Sequence, residues 1–437
     1  MGNETPGSLS EHCFEFANFC FTDPSGLLRR ITLDVTAFDK LKIGHDQVID
    51  SSLFNSYGVH SSVPLLLRAD LSTMRVDPFC IQPTGNILCD IFCSDTELSR
   101  SFASRDIASR AASHLISTGI VNAGLFRSEI EFFVFPNERC QAHSHSCEYY
   151  RSPLIETSIG SHQQSHHVNE NDAYSATTIN DLGHNMRSEM LDMMRKMGIQ
   201  AHSHRYLGYN QHAISTNYNT LIEISDQIQL YKYCINQVAQ SYGQMALFMP
   251  YPTTNTNKRS AMRIHQQIWN TDDNMDHSDL YQCYIGGILK HIRAISAFSN
   301  SSTNSYLSLE SGTFFSYHNT VISDRSVYVT HVSSPKTANI TINFPDPLSN
   351  PYLVLSAILM AGLDGIQNKI YPKKHKSTKA NGHAFQEVYE SPTCSDLETA
   401  ITGLREDSEF LTNTNVFDSH FIDNYTRLKM EEIRKTR

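Results

Sequence analysis

The hydrophobic pattern of the first 98 residues is that of short strands separated by turns. Residues 14–22 and 86–93 have the length and apolar content of strands, and residues 26–35 alternate between apolar and polar side chains. Alternation with a period of two is typical of a strand with one buried face. The pattern therefore predicts a small, mostly β domain over residues 1–98.

Helical periodicity predominates in the remainder of the chain. Ile107, Ala111 and Leu115 recur at helical spacing and predict a helix over residues 106–118, which Gly119 ends. Further helices are predicted over residues 186–197, 225–241, 280–298, 352–369 and 425–437, and a strand over residues 125–135. We expect residues 99–437 to form a second, larger domain that mixes helices and strands.

Composition narrows the class of protein. The chain has 437 residues, which is too long for one ordinary core and suits two or three domains. Charged residues make up only 18%, against about 25% in a typical soluble domain. With 35 Lys and Arg against 45 Asp and Glu, the formal net charge is −10. A nucleic-acid partner is therefore not expected, because phosphate binding needs a basic surface.

Neither a membrane segment nor an export signal is expected. Residues 1–10 contain no basic side chain and no apolar core of the kind a signal peptide has. The longest apolar stretch, residues 352–363, is shorter than the roughly 20 residues that span a bilayer. The 10 cysteines include no CxxC pair, so the sequence predicts a cytoplasmic protein with reduced thiols.

Residues 137–172 interrupt the pattern with a polar, histidine-rich stretch, which predicts a long exposed loop. Imidazole and thiolate groups are good metal ligands, but the spacing here matches no standard metal site. The side chains concerned are His143, His145, His162, His166, His167, Cys140 and Cys147.

One segment resembles a known family. Residues 344–370, FPDPLSNPYLVLSAILMAGLDGIQNKI, resemble the signature near the end of the bacterial type I glutamine synthetases. Further segments resemble that family in the same order: RADLSTMRVDPF (68–79), SEIEFFVF (128–135), RSEM (187–190), YKY (231–233), FMPYP (248–252), NSY (304–306) and SPK (334–336). The resemblance extends over about residues 12–430.

The resemblance implies an α+β, or α/β, architecture. A small N-terminal β-grasp domain would precede a large catalytic-type domain with a curved antiparallel sheet and flanking helices. It also implies hexameric rings, possibly stacked as a dodecamer, with active sites between subunits. The implied reaction joins glutamate and ammonia with ATP, and divalent Mg or Mn ions hold the phosphates.

Glu129 and Glu131 match a glutamate pair that holds cations in this family. Two apart on a strand, they share one face, about 7 Å apart; without the resemblance, an exposed strand face would be the favoured interpretation. The resemblance implies four further ligands at positions now occupied by Arg205, Ala213, Arg263 and Thr341. It implies phosphate-binding arginines at Ser308, Thr330, Asn339 and Asn343, and a flap glutamate at Phe314.

Other family positions are retained. Asp50 stands at the ammonium-site aspartate, and Arg325 at a catalytic arginine. His265 and Lys336 remain as substrate- or nucleotide-binding residues, and Tyr174 and Tyr218 could serve as aromatic walls.

Most ionic groups of the implied site are thus replaced, and the sequence predicts a catalytically impaired pseudoenzyme with a structural or regulatory role in nitrogen metabolism. It could form homo-oligomers or assemble with an intact synthetase. An active glutamate–ammonia ligase, or a ligase for another amine with a rebuilt site, remains an alternative, as does a structural ring protein without a ligand.

Overall fold

The computed structural model describes most of both predicted domains. The described residues are 14–35, 47–50, 64–93, 104–120, 123–136, 140–142, 147–149, 181, 183–208, 210–252, 259–269, 277–307, 314–318, 328–333, 338–372, 374–375, 388–392 and 394–436.

A five-stranded sheet is formed by the first part of the chain, with strand order β2-β1-β5-β4-β3. Its strands are β1 (Phe16–Thr22), β2 (Leu28–Asp34), β3 (Gln47–Asp50), β4 (Pro64–Val76) and β5 (Thr84–Cys93). β1 and β5 run parallel in the centre, and the outer pairs are antiparallel. This mixed order agrees with the expected β-grasp architecture. The boundary at residues 98 and 99 stays a prediction.

A ten-stranded sheet forms the centre of the rest of the chain, and its main path is β16-β17-β13-β14-β15-β12-β6-β10-β9, with β11 beside β6. The strands are β6 (Ala123–Pro136), β9 (Ala201–Gly208), β10 (Gln211–Thr216), β11 (Gln244–Leu247), β12 (Met262–Trp269), β13 (Phe314–His318), β14 (Tyr328–Ser333), β15 (Ala338–Ile342), β16 (Lys374–His375) and β17 (Val388–Pro392). The expected antiparallel pairing holds except between β13 and β14, which run parallel.

The predicted histidine-rich loop is not wholly irregular. β7 (Cys140–Ala142) and β8 (Cys147–Tyr149) pair as a short antiparallel hairpin within it. The five histidines between residues 143 and 167 lie outside the described residues.

Helices pack against the larger sheet and share its hydrophobic core. They are α1 (Ser104–Ser117), α2 (His184–Lys196), α3 (Leu221–Ser241), α4 (His277–Lys290), α5 (Ile292–Ser299), α6 (Pro351–Gln367), α7 (Leu397–Glu406), α8 (Glu409–Thr412) and α9 (Ser419–Thr436). Within the described residues, none of them is long and apolar enough to cross a membrane.

Two neighbouring residues, Asn350 and Pro351, set the start of the apolar helix α6. The Asn350 side chain accepts a hydrogen bond from the Tyr352 backbone nitrogen, and Pro351 occupies the first helical turn. A capping asparagine and a proline at this position both favour a helix start. The helix is buried on nearly all sides, which explains why its sequence carries almost no charge.

The single helix predicted over residues 280–298 is wrong, because the chain leaves the helical path at His291 between α4 and α5. The buried ring contacts Asp407 through Nδ1 at 2.7 Å and Asp364 through Nε2 at 2.9 Å, and stacks on Phe410. Burial alone lowers the pKa of an imidazole. Hydrogen bonds to both carboxylates outweigh burial and raise the pKa of His291 above its usual value.

A pH-dependent contribution to stability follows from this arrangement. Because the folded pKa of His291 is raised, its stabilisation is fully present below about pH 6.5, the unfolded pKa, and is lost as pH rises through the folded pKa. We expect wild type to exceed His291→Gln in unfolding free energy by about 1–3 kcal/mol at acidic pH. Urea titrations from acidic to alkaline pH would measure this. A difference that does not change with pH would contradict it.

Candidate functional site

One face of the large sheet gathers the predicted metal positions and Asn339, one of the predicted phosphate positions. The cross-strand pairs Arg263–Glu129, Ala213–Glu131 and His265–Thr341 place neighbouring strands in register. Successive side chains of a strand point to opposite faces of the sheet, so this register places alternate residues of neighbouring strands side by side on one face. We call this set of side chains the site face. Its members are Arg127, Glu129, Glu131, Arg205, Ala213, Ser215, Arg263, His265, Gln267, Asn339 and Thr341.

The opposite face of β6 explains why the glutamates face away from the core. Phe126, Ile130 and Phe132 on that face are fully buried in the main hydrophobic core. Alternation along the strand then directs Glu129 and Glu131 to the site face, as the sequence pattern predicts.

Glu129 is paired with guanidinium groups. Arg205 forms an ion pair with it through Nη2, and Nη1 of Arg263 lies 3.7 Å from its Oε1. The Ser215 hydroxyl donates a hydrogen bond to its Oε2 at 2.8 Å. Burial raises the pKa of this carboxyl, but the two guanidinium groups and the hydroxyl outweigh burial and hold the pKa below its usual value. Glu129 is therefore ionised and electrically balanced by side chains of this chain.

Glu131 has a complete set of protein partners. Its Oε1 accepts a hydrogen bond from Nη2 of Arg263 at 3.0 Å. Its Oε2 accepts from Nε2 of Gln211 at 3.0 Å and from the backbone nitrogen of Ala261 at 3.2 Å. Both carboxylate oxygens are thus engaged by donors, and the side chain is only 6% exposed.

The side chains of the site face do not fit a divalent cation. Arg205 and Arg263 contact the two glutamates directly, and Arg127 lies on the same face. A divalent ion about 4 Å from one guanidinium would be repelled by about 8 kcal/mol at an effective dielectric of about 20. Among the described residues, no group of three or more His, Cys, Asp and Glu side chains could hold a metal ion.

His265 is held as a neutral hydrogen-bonding group. Its Nδ1 lies 2.9 Å from Oγ1 of Thr341, the residue that replaces an expected glutamate. Burial, with the charge of Arg127, lowers the pKa of His265 to about 3. The retained histidine therefore carries no charge near neutral pH.

Three residues that sequence reasoning did not single out complete the site. Arg127 places its guanidinium 5.2 Å from the centre of the Tyr218 ring. The amide of Gln267 donates to Oδ1 of Asn339 at 2.6 Å, and the Tyr218 hydroxyl donates to the same oxygen at 3.1 Å. Arg259 donates through Nη2 to the backbone oxygen of Asn343 at 2.6 Å. Arg127 could have been recognised, because its period-two spacing continues the Glu129–Glu131 row.

The RSEM segment contacts two histidines on strands β9 and β10 through Arg187. Arg187 is buried and forms an ion pair with Asp181 through Nη2. Its Nε and Nη1 atoms contact Nδ1 of His204 at 3.1 Å and Nδ1 of His212 at 2.8 Å. Burial, together with the charge of Arg187, lowers the pKa of His204 to about 4 and that of His212 to about 3. These neutral rings lie on β9 and β10, the strands that carry Arg205 and Ala213.

The remaining predicted site residues stay predictions. Tyr174, Ser308, Arg325 and Lys336 lie outside the described residues. Asp50, Phe314 and Thr330 are placed as strand positions in β3, β13 and β14.

The two sheets and the site face define a mixed α/β protein of the glutamine synthetase class. The family model for the glutamine synthetase catalytic domain matches residues 101–437. The glutamine synthetase of Azospirillum brasilense is 33% identical and aligns over 97% of this chain and 94% of its own length. The chain belongs to the glutamine synthetase family.

A relative of comparable sequence identity has a name other than glutamine synthetase. A protein named 3-hydroxylaminophenol mutase, from Cupriavidus pinatubonensis, is 35% identical over 98% of this chain and 95% of its own length. The glutamine synthetase structure from Plasmodium falciparum superposes with a TM-score of 0.80 at 21% identity, covering 98% of this chain and 94% of that one. This structural likeness supports the fold.

Proposed function

We propose that this protein is a glutamine synthetase-family member that does not catalyse the ATP-dependent joining of glutamate and ammonia. The observation that carries the proposal is the pairing of Arg205 and Arg263 with Glu129 and Glu131. The positive charge that a divalent cation would supply to these carboxylates is already supplied by the chain.

Phosphoryl transfer makes demands that the described site face does not meet. Divalent cations neutralise the phosphate charge during transfer, and cationic side chains stabilise the transferring group. Asn339 and Asn343 stand where the resemblance implies arginines, and neutral amides lack the charge and the bidentate geometry of a guanidinium. Loss of one transition-state donor typically costs about 10²–10³ in rate.

A structural or regulatory role in nitrogen metabolism agrees with what is retained. The likeness to the Azospirillum relative extends along almost the whole chain, whereas Arg205, Ala213 and Arg263 stand where the resemblance implies metal ligands. We propose that the protein is cytoplasmic and forms rings, either with copies of itself or with an intact synthetase. The proposed division is a β-grasp domain over residues 1–98 and a catalytic-type domain over residues 99–437.

An assay of the purified protein tests the central proposal. γ-Glutamyl transfer, and ADP release from ATP with glutamate and ammonium, would be measured with Mg²⁺ and with Mn²⁺. The control is the Glu129→Ala/Glu131→Ala variant, which removes both remaining carboxylates. We expect wild type and control to give the same background rate. Turnover by wild type above this control would support the alternative of an active ligase with a rebuilt site.

A further inference from the structure

Arg127 differs from the other arginines of the site face in having no charged partner among the described residues. Among the residues that the structure describes, no carboxylate lies within ion-pair distance of its guanidinium, whereas Arg205 and Arg263 are paired with glutamates. Its Nε atom is buried and has no hydrogen-bond partner there. The Tyr218 ring supports the guanidinium from one side at 5.2 Å.

A second donor lies beside the same tyrosine. Oδ1 of Asn339 accepts hydrogen bonds from both the Tyr218 hydroxyl and the Gln267 amide, so this oxygen is engaged. The amide nitrogen of Asn339 is left to donate, and no side chain or backbone oxygen in the described part of the chain accepts from it. Tyr218 therefore connects two groups that both need an acceptor.

The chemistry of these donors selects the ligand. A guanidinium presents a planar fork that matches the paired oxygens of a phosphate or a carboxylate, and an adjacent amide adds one more donor. We propose that Arg127 and Asn339 form a site for the oxyanion group of a small ligand, a phosphate or a carboxylate, which binds without a divalent cation. This inference rests on the proposed function, because it requires a site face free of metal.

The ion pairs of the site face favour such a ligand. Arg205 and Arg263 neutralise Glu129 and Glu131, so these carboxylates do not repel an approaching anion as unpaired carboxylates would. His265, with its pKa of about 3, adds no charge of its own. Within the described part of the site face, Arg127 is then the arginine that no carboxylate pairs with.

Calorimetric titration of the full chain in EDTA at low salt tests the site. Inorganic phosphate is the probe in one arm and glutamate in the other, so the two arms distinguish the kinds of oxyanion. We expect at least one probe to bind, and Arg127→Met to weaken that binding by at least about tenfold. Arg127→Lys should give intermediate binding, because it keeps the charge and loses the fork. Arg195→Met, which removes an exposed helix charge, is the matched control and should bind as wild type does.

The outcomes are separable. Circular dichroism would show whether each variant is folded. If Arg127→Met does not fold, the comparison of wild type with Arg127→Lys still tests the site. If neither phosphate nor glutamate binds, or if wild type and the Arg127 variants bind equally, the oxyanion site is overturned. Binding of Mn²⁺ to wild type, measured in parallel without EDTA, would instead overturn the proposed function on which the site rests.

Discussion

Restoring the missing ligands should convert the site face into a metal site that wild type lacks. The restored variant combines the substitutions Arg205→Glu, Ala213→Glu, Arg263→His and Thr341→Glu. It removes two guanidinium groups from the surroundings of Glu129 and Glu131 and adds three carboxylates and an imidazole there. The added groups supply the oxygen and nitrogen ligands that Mg²⁺ and Mn²⁺ accept. We expect Mn²⁺ affinity to rise by at least about 100-fold, because a carboxylate and a neutral imidazole replace two repulsive guanidinium groups, and two further carboxylates are added.

Electron paramagnetic resonance of Mn²⁺ measures this directly, because the signal of the free ion falls as the ion binds. The matched control is Arg205→Gln/Arg263→Gln, which removes the same two positive charges without adding a ligand. It should gain much less affinity than the restored variant. Equal Mn²⁺ binding by wild type and the restored variant would show that the guanidinium groups do not exclude the metal, and would contradict the prediction.

Removing Glu131 should cost about 3–5 kcal/mol of unfolding free energy. The carboxylate is 6% exposed and compensates Arg263, so Glu131→Ala leaves a largely buried guanidinium and the donors of Gln211 and Ala261 without their acceptor. Adding Arg263→Ala should recover part of the loss, because it removes a guanidinium that would keep only its longer, 3.7 Å contact with Glu129.

Urea unfolding of wild type, both single variants and the double variant measures this coupling. The control is the exposed pair between Arg195 and Asp192, whose side chains are 74% and 49% exposed. Loss of that pair should cost less than about 1 kcal/mol. A loss from Glu131→Ala as small as that of the control would show that the pair on the site face contributes little.

The extent to which sequence predicted the fold depended on how local each signal was. The α6 helix was predicted from an apolar run over residues 352–369, and the Asn350 cap and Pro351 that set its start act within one turn of the chain. The break at His291 was missed, and the carboxylates that contact this residue are distant in sequence. The two aspartates that bind the ring lie 73 and 116 residues further along the chain.

The candidate site shows the same division. The period-two spacing of Glu129 and Glu131 predicted one shared face, and alignment of motifs indicated which expected ligands are replaced. The ion pairs that Arg205 and Arg263 form with the glutamates could not be predicted from residue spacing. Arg205 comes from β9 and Arg263 from β12, on opposite sides of β6, and only the register of the sheet brings both to the carboxylate of Glu129.

Sequence alone determined the family, several of the helices and strands and the loss of charged groups, because periodicity and motif order are properties of the chain itself. Tertiary structure decided that the glutamates are balanced by guanidinium groups, that His265 is neutral, and that Arg127 and Asn339 share a tyrosine. The physical reason is that ion pairing, burial and hydrogen bonding depend on distances between strands that lie far apart in sequence.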